Sequence, residues 1–181
     1  MNTAKWGDVA DTLCPVARST AIVGERWTML IVRELFAGCT RFDEIQAQTG
    51  ATAQMLSTRL RQLEADGMIE RRAYSERPVR YEYVLTPMGR DFFPVIIALR
   101  AWGETWRKGD DEPLAIHTTH RTCGGDVDLD GVCQSCGETV KPVDMDAAPG
   151  PEYAAERQRR RESHKTHSQR RTKPDGESTT R

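Results

Sequence analysis

Leu56, Leu60 and Leu63 stand between a threonine at position 52 and a glycine at position 67. At 100° per residue the three leucines fall within one narrow arc, so the segment is a helix with a single face committed to a core. Thr52 is suited to cap its start, because a threonine oxygen can accept a bond from a free backbone N–H of the first turn. Gly67 ends it. Gln54, Thr58 and Arg61 point away from the leucines, with Ser57 and Arg59 on the flanks. Such a stripe must be covered by other elements, and its opposite face is left polar.

The flanking sequence supplies the cover. Val16, Val23, Trp27, Leu30, Ile31 and Leu35 recur at three- and four-residue steps, which predicts a helix over 14–37 stopped by Gly38. A short helix over Phe42–Thr49 follows, with Phe42 and Ile45 inward and Gly50 at its end. After Gly67, Met68–Tyr74 and Val79–Leu85 read as two strands around Ser75-Glu76-Arg77-Pro78. In the second, Val79, Tyr81, Tyr83 and Leu85 alternate with Arg80, Glu82 and Val84, the period of a half-buried strand. Thr86-Pro87 opens a further helix to about residue 107, with threonine as N-cap and proline where no N–H is needed. It carries Phe92, Phe93, Val95, Ile96, Leu99, Trp102 and Trp106, a very wide apolar face.

Helix, short helix, capped helix and β-ribbon in this order make a winged helix-turn-helix, in a chain that is mainly α with a small β-ribbon. The leucine stripe anchors the third helix and frees the opposite face for a DNA major groove. Gln54 suits adenine edges and Arg61 guanine edges, while Thr58 suits a thymine methyl or a phosphate. Ser57 and Arg59 are better placed for phosphates, which position the protein without reading sequence, and Thr52 at the helix start is a further DNA-binding candidate. Arg71, Arg72, Arg77 and Arg80 make the ribbon a charged wing for backbone or minor groove. The plainer alternative is a solvated face, with Arg71, Arg72 and Arg80 paired to Glu70, Glu76 and Glu82.

A denser signal lies in the local words of the sequence. Cys14-Pro15-Val16 is followed by Ile22-Val23-Gly24-Glu25-Arg26-Trp27-Thr28-Met29-Leu30-Ile31-Val32-Arg33-Glu34-Leu35. Further on come Arg41-Phe42-Asp43-Glu44-Ile45, then Leu56-Ser57-Thr58-Arg59-Leu60-Arg61-Gln62-Leu63-Glu64-Ala65-Asp66-Gly67, and Tyr81-Glu82-Tyr83-Val84-Leu85-Thr86-Pro87-Met88-Gly89. Over residues 12–107 the chain resembles the HxlR-type transcriptional regulators, relatives of the MarR group. The resemblance implies a bacterial dimeric winged-helix protein that binds an inverted-repeat operator in double-stranded DNA. Repression is what such a family leads one to expect. It also marks Cys14, since some regulators of this type sense oxidants or electrophiles through a cysteine just before the proline. A helix N-terminus favours a thiolate there; the alternative is a small apolar residue packed at an interface. A small-molecule effector is the other input.

A homodimer also follows from the apolar surplus of the 87–107 helix, which a small core would leave partly exposed. The interface candidates are Leu13, Val16, Phe92, Ile96, Leu99, Trp102 and Trp106. The alternative is that these aromatics close their own subunit's core.

The formal charge of −1 conceals three regimes. Residues 1–108 carry +2, residues 109–152 carry −8 and residues 153–181 carry +5. The expected layout is a DNA-binding and dimerisation domain at 12–107, a linker at 108–116, a Cys/His module at 117–145 and a disordered Arg-rich tail at 146–181. The tail lacks the apolar residues to offset its ordering entropy. It either adds salt-sensitive DNA affinity or is merely solvated.

The module contains His120-Arg121-Thr122-Cys123-Gly124-Gly125 and Cys133-Gln134-Ser135-Cys136-Gly137. Each turn brings two ligands to one side of a tight loop, so His120, Cys123, Cys133 and Cys136 make a metal-knuckle-like, zinc-ribbon-like tail with a structural zinc ion. His117 is an alternative to His120. A reduced, loosely folded tail and a redox-active Cys133–Cys136 pair are the other readings.

No Gly-rich phosphate loop or nucleophile elbow is present, and all four histidines come after residue 116, so the chain is not expected to be an enzyme. The longest apolar run is a few residues, which excludes a spanning helix. The residues after Met1 lack an apolar stretch of signal-peptide length, so a cytoplasmic location is expected. The competing class is a protein-interaction winged-helix module whose zinc-ribbon-like tail recruits another factor.

Overall fold

The computed structural model describes residues 11–172. In chain order the elements are α1 (Pro15–Val23), α2 (Arg26–Phe36), α3 (Phe42–Thr49), α4 (Ala53–Ala65), β1 (Ile69–Glu76), β2 (Val79–Leu85), α5 (Pro87–Arg90), α6 (Phe93–Trp106), β3 (Ile116–His120), a 3-10 turn (Pro142–Asp144), β4 (Met145–Pro149) and α7 (Pro151–Thr172). The chain divides into two units after Ile96, within α6.

In the first unit α2, α3 and α4 enclose a core of Ile31, Val32, Leu35, Ile45, Leu56, Leu60 and Leu63, closed by Met68 and Ile69. Leu56, Leu60 and Leu63 are at most 1% exposed. Burying each is worth about 1.5–3 kcal/mol relative to leaving it in water. The Thr52 hydroxyl accepts from the Met55 N–H at 3.2 Å, as its N-cap position demands. β1 and β2 pair antiparallel from Ile69–Leu85 outward, with a bulge between Ala73 and Ser75. The Arg41 backbone bridges Glu82, so the turn before α3 joins the edge of the ribbon.

Two expected helices are each divided in two. The 14–37 helix breaks at Gly24 and Glu25. Glu25 is extended (φ −94°, ψ 128°) and its carboxylate accepts from the Trp27 N–H at 3.1 Å, restarting the chain as α2. Gly24 is packed so closely that a Cβ would lie 2.5 Å from the Thr20 carbonyl oxygen. The 87–107 helix breaks at Asp91 and Phe92. Pro94 explains this: it has no N–H to offer the Arg90 carbonyl and its ring would crowd that turn.

In the second unit β3 and β4 pair antiparallel from Ile116–Pro149 to His120–Met145. They frame a small cluster of Val127, Cys133, Val140 and Met145. α6 holds this ribbon through polar bonds. Arg100 donates to the Thr118 hydroxyl at 2.6 Å and to the Ile116 carbonyl, and the Ala115 N–H donates to Glu104 at 3.0 Å. Burial lowers the pKa of Arg100, with Glu104 opposing.

The second unit differs from the expected layout. Its ribbon occupies 116–149 rather than 117–145, and it includes the later part of α6. Residues 151–172 form a helix where disorder was expected. That expectation followed from the scarcity of apolar residues. The helix is instead seated by its first turns, where Arg157 is buried against the Tyr153 ring at 5.6 Å, and continued by pairs such as Glu156–Arg160. The rest of the expected disordered tail, residues 173–181, lies outside the described residues.

A Cβ at Gly89 would lie 2.1 Å from the Met68 carbonyl oxygen, where backbone meets backbone. Gly89→Ala is therefore expected to cost about 1–3 kcal/mol in chemical denaturation, and Leu60→Ala about 2–5 kcal/mol. An unchanged midpoint for Gly89→Ala would contradict the tight junction between the ribbon and α5.

Candidate nucleic-acid interface and metal centre

The burial of α4 decides what it presents. With Leu56, Leu60 and Leu63 inward, Gln54, Thr58 and Arg61 are exposed on the opposite side, with Ser57 and Arg59 half-buried at its edges. The Thr58 hydroxyl bonds back to the Gln54 carbonyl at 3.0 Å, and Arg61 Nε donates to the Ser57 carbonyl at 3.3 Å. Both are weak local bonds that leave the side chains at the surface. Arg59 lies 3.5 Å from Glu25, so it also ties α4 to the cap of α2.

The wing arginines divide into two groups. Arg71 stacks 4.3 Å over the Tyr81 ring and lies 4.0 Å from Glu64, while Arg72 pairs with Glu70. The Arg72–Glu70 pair is one that the plainer reading allowed, whereas Arg71 is engaged by Tyr81 and Glu64, which that reading did not name. Arg77 and Arg80 are exposed at its tip, and among the described residues neither has a carboxylate partner. Arg41 was missed as a wing residue. It stacks 4.9 Å over Tyr74, from the turn before α3. Its only sequence signal was an arginine at a helix N-terminus, which does not foretell a contact some thirty residues away.

The apolar candidates for an interface also separate. Leu13, Val16, Leu99, Trp102 and Trp106 are exposed, with Trp106 at 69% and Trp102 at 56%. Phe92 and Ile96 instead pack against the core of the first unit. Both are half-buried there. Cys14 is exposed at the N-cap of α1, and Cys39 is buried.

In the second unit two matched turns face each other. The Gly124 N–H donates to the His120 carbonyl at 2.7 Å, and the Gly137 N–H to the Cys133 carbonyl at 2.9 Å. Gly124 (φ 70°) and Gly137 (φ 73°) both lie in the left-handed region, which only glycine enters without cost. At Gly125 a Cβ would lie 2.8 Å from Cys133 Sγ, so the backbone must be bare for the turns to close.

The ligand atoms of His120, Cys123, Cys133 and Cys136 all lie within 4.8 Å of one another and could hold a metal ion. Cys123 Sγ is 3.5 Å from Cys133 Sγ and 3.8 Å from Cys136 Sγ. His120 Nδ1 is 3.3 Å from Cys123 Sγ and 3.4 Å from Cys136 Sγ. A tetrahedral ion with bonds of about 2.3 Å to sulfur separates its ligands by ~3.8 Å, so the spacing fits. His117 is exposed and outside the group.

The N–H groups of Cys136 and Ser135, aided by the Cys123 and Cys136 side chains, outweigh burial and draw the Cys133 thiol down to about 6. A thiolate is the ligating form. Arg121 clamps the first turn to β4, donating to Asp146 at 2.8 Å and to the Val143 carbonyl at 2.9 Å.

Among the described residues no helix is long and apolar enough to cross a membrane. Residues 22–111 match the model of the HxlR-like helix-turn-helix family. An uncharacterised HTH-type transcriptional regulator of Mycobacterium tuberculosis is 40% identical over 140 residues, covering 77% of this chain and 88% of that protein. A counterpart in Synechocystis is 40% identical over 95 residues, covering 52% and 70%. The crystal structure of PA1607, described as a candidate transcription factor, superposes with a TM-score of 0.61 at 35% identity, over 76% of this chain and 95% of that one. The oxidised form of the redox regulator HypR superposes with a TM-score of 0.50 at 34% identity, over 53% and 100%. With its exposed α4 face and charged wing, and with this family match and these relatives, the chain belongs to the HxlR-like helix-turn-helix family of DNA-binding transcriptional regulators.

Proposed function

We propose that the protein is a homodimeric repressor that reads an inverted-repeat operator through α4 and the β1–β2 wing. The observation that carries this reading is the division of α4 into a buried leucine face and an exposed face of Gln54, Thr58 and Arg61. Ser57, Arg59 and Thr52 border that face and suit phosphates. Arg77 and Arg80 suit the flanking backbone, with Arg71 and Arg72 shaping the wing. Two-fold symmetry accounts for the palindrome. The exposed Leu99, Trp102 and Trp106 of α6 are one surface for the second copy, and the exposed Leu13 and Val16 of the first unit are another.

The regulatory input is a thiol oxidation at Cys14 or a small ligand. Exposure of Cys14 at the start of α1 supports the former, as does the likeness to HypR, itself a redox regulator. The metal in the second unit is zinc with a structural role. One nitrogen and three sulfur ligands suit zinc, and a full protein ligand set leaves no position for a reacting water.

Selection of bound genomic fragments under reducing conditions should enrich an inverted repeat with half-sites about one helical turn apart. On that repeat, Arg61→Ala is expected to cost about 1–3 kcal/mol and relax discrimination at one position. Arg77→Ala and Arg80→Ala should weaken all duplexes alike and reduce the salt slope by about one each. Equal loss on every sequence for Arg61→Ala would count against the α4 orientation.

Trp102→Glu is expected to shift sedimentation from dimer to monomer and to lose cooperative binding to the full repeat while retaining half-site contacts. The purified chain should carry one zinc per subunit. Cys133→Ser should weaken zinc by more than about 100-fold and release amide protection across 116–149, leaving α4 protected. Persistence of that protection without metal would show that the second unit is held by other forces.

A further inference from the structure

We propose that α7 is a second DNA-binding element, which takes duplex phosphates on its Arg161–Lys165 side without reading sequence. The inference rests on the operator-binding reading above, and extends it to a segment outside the family match.

The helix is unusual in what it lacks. Its apolar residues, Pro151, Tyr153, Ala154 and Ala155, all come in the first turns. Beyond Arg157 every described side chain through Gln169 is exposed except the half-buried His164. A helix that is polar all round depends on side-chain pairs spaced i,i+4 or on an outside partner. Its two interior carboxylates are already engaged. Glu156 pairs with Arg160 at 2.6 Å, and Glu162 accepts from Gln158 at 2.7 Å. Arg159, Arg161 and Lys165 are left exposed and, among the described residues, have no carboxylate partner.

Arg157, Arg161 and Lys165 moreover follow one another at four-residue steps, about 6 Å apart along one side. Like charges so spaced disfavour an isolated helix, and a polyanion reverses the sign of that effect. Duplex DNA presents one charge per ~1.7 Å of its axis. Protein docking surfaces rely on buried aromatic or aliphatic anchors, and this side has none after Tyr153. Phosphate binding needs only the cations. On a chain that already holds DNA, even a weak second contact gains from its high effective concentration.

The test uses the full chain and a triple variant, R159Q/R161Q/K165Q. Anisotropy titrations on the selected operator and on a scrambled duplex are run across a range of salt. Each lost phosphate contact should flatten the slope of log K against log salt by about 0.9. Arg161 and Lys165 account for two contacts, Arg159 projecting from the other side of α7, so the expected result is a slope shallower by about two and an affinity about 10–100-fold lower on both duplexes, with their ratio unchanged. R159K/R161K should retain the wild-type slope, since it keeps the charge. Arg61→Ala should change the ratio and leave the slope nearly intact.

If the triple variant keeps the wild-type slope and affinity, α7 does not hold DNA and the operator reading stands. If the wild type prefers no sequence while the triple variant still flattens the slope, α7 holds DNA and the operator reading falls. If the wild type binds neither duplex, both fall.

Discussion

The orientation of α4 depends on one burial. Leu56, Leu60 and Leu63 close the core with Ile31, Val32 and Ile45, and every outward residue of the helix takes its position from that. The polar face is a consequence of geometry: three leucines within a narrow arc leave the remainder of the circumference to solvent or to a groove. The Thr52 cap and the Arg59–Glu25 contact steady the same helix at its start and flank. The ribbon is set by its root, since Met68 and Ile69 are buried against this core and its tip is not.

The second unit is built on a different principle. Its apolar cluster is four residues, far too little to stabilise a ribbon by itself. Order comes from polar ties and from a cluster of ligands. Arg100 and Glu104 hold β3 to α6, Arg121 holds the first turn to β4, and the paired glycine turns bring one nitrogen and three sulfurs together. Three thiols and an imidazole packed at such distances gain little from one another without a metal. The zinc proposed above would couple folding of this unit to metal binding, a coupling for which the leucine-built core of the winged helix has no need.

Much of this was legible in the residues. Helical period, cap and stop signals placed α3 and α4, and alternation placed β2. The knuckle ligands followed from paired Cys/His spacing and adjoining glycine. Less legible were effects that depend on partners distant in sequence. The breaks at Gly24–Glu25 and before Phe93 were hidden because apolar period runs through them. Pro94 was a visible signal for the second break, since proline forbids the bond to Arg90. The disorder expected after residue 145 failed over 151–172, where a buried arginine on a tyrosine ring and i,i+4 pairs replace an apolar stripe.

The sequence by itself determined the buried face of α4 and the four candidate metal ligands, which are matters of local periodicity and of residue types at fixed spacing; the family was legible as a resemblance in its local words. Only the tertiary structure decided which wing arginines are spent on supporting contacts and which, among the described residues, have no carboxylate partner. It also chose His120 over His117, and set Phe92 and Ile96 half-buried against the core while leaving Trp102 and Trp106 outside. The physical reason is common to all of these: a charge, an imidazole or an aromatic ring is committed by what packs against it, and those partners lie many residues away along the chain.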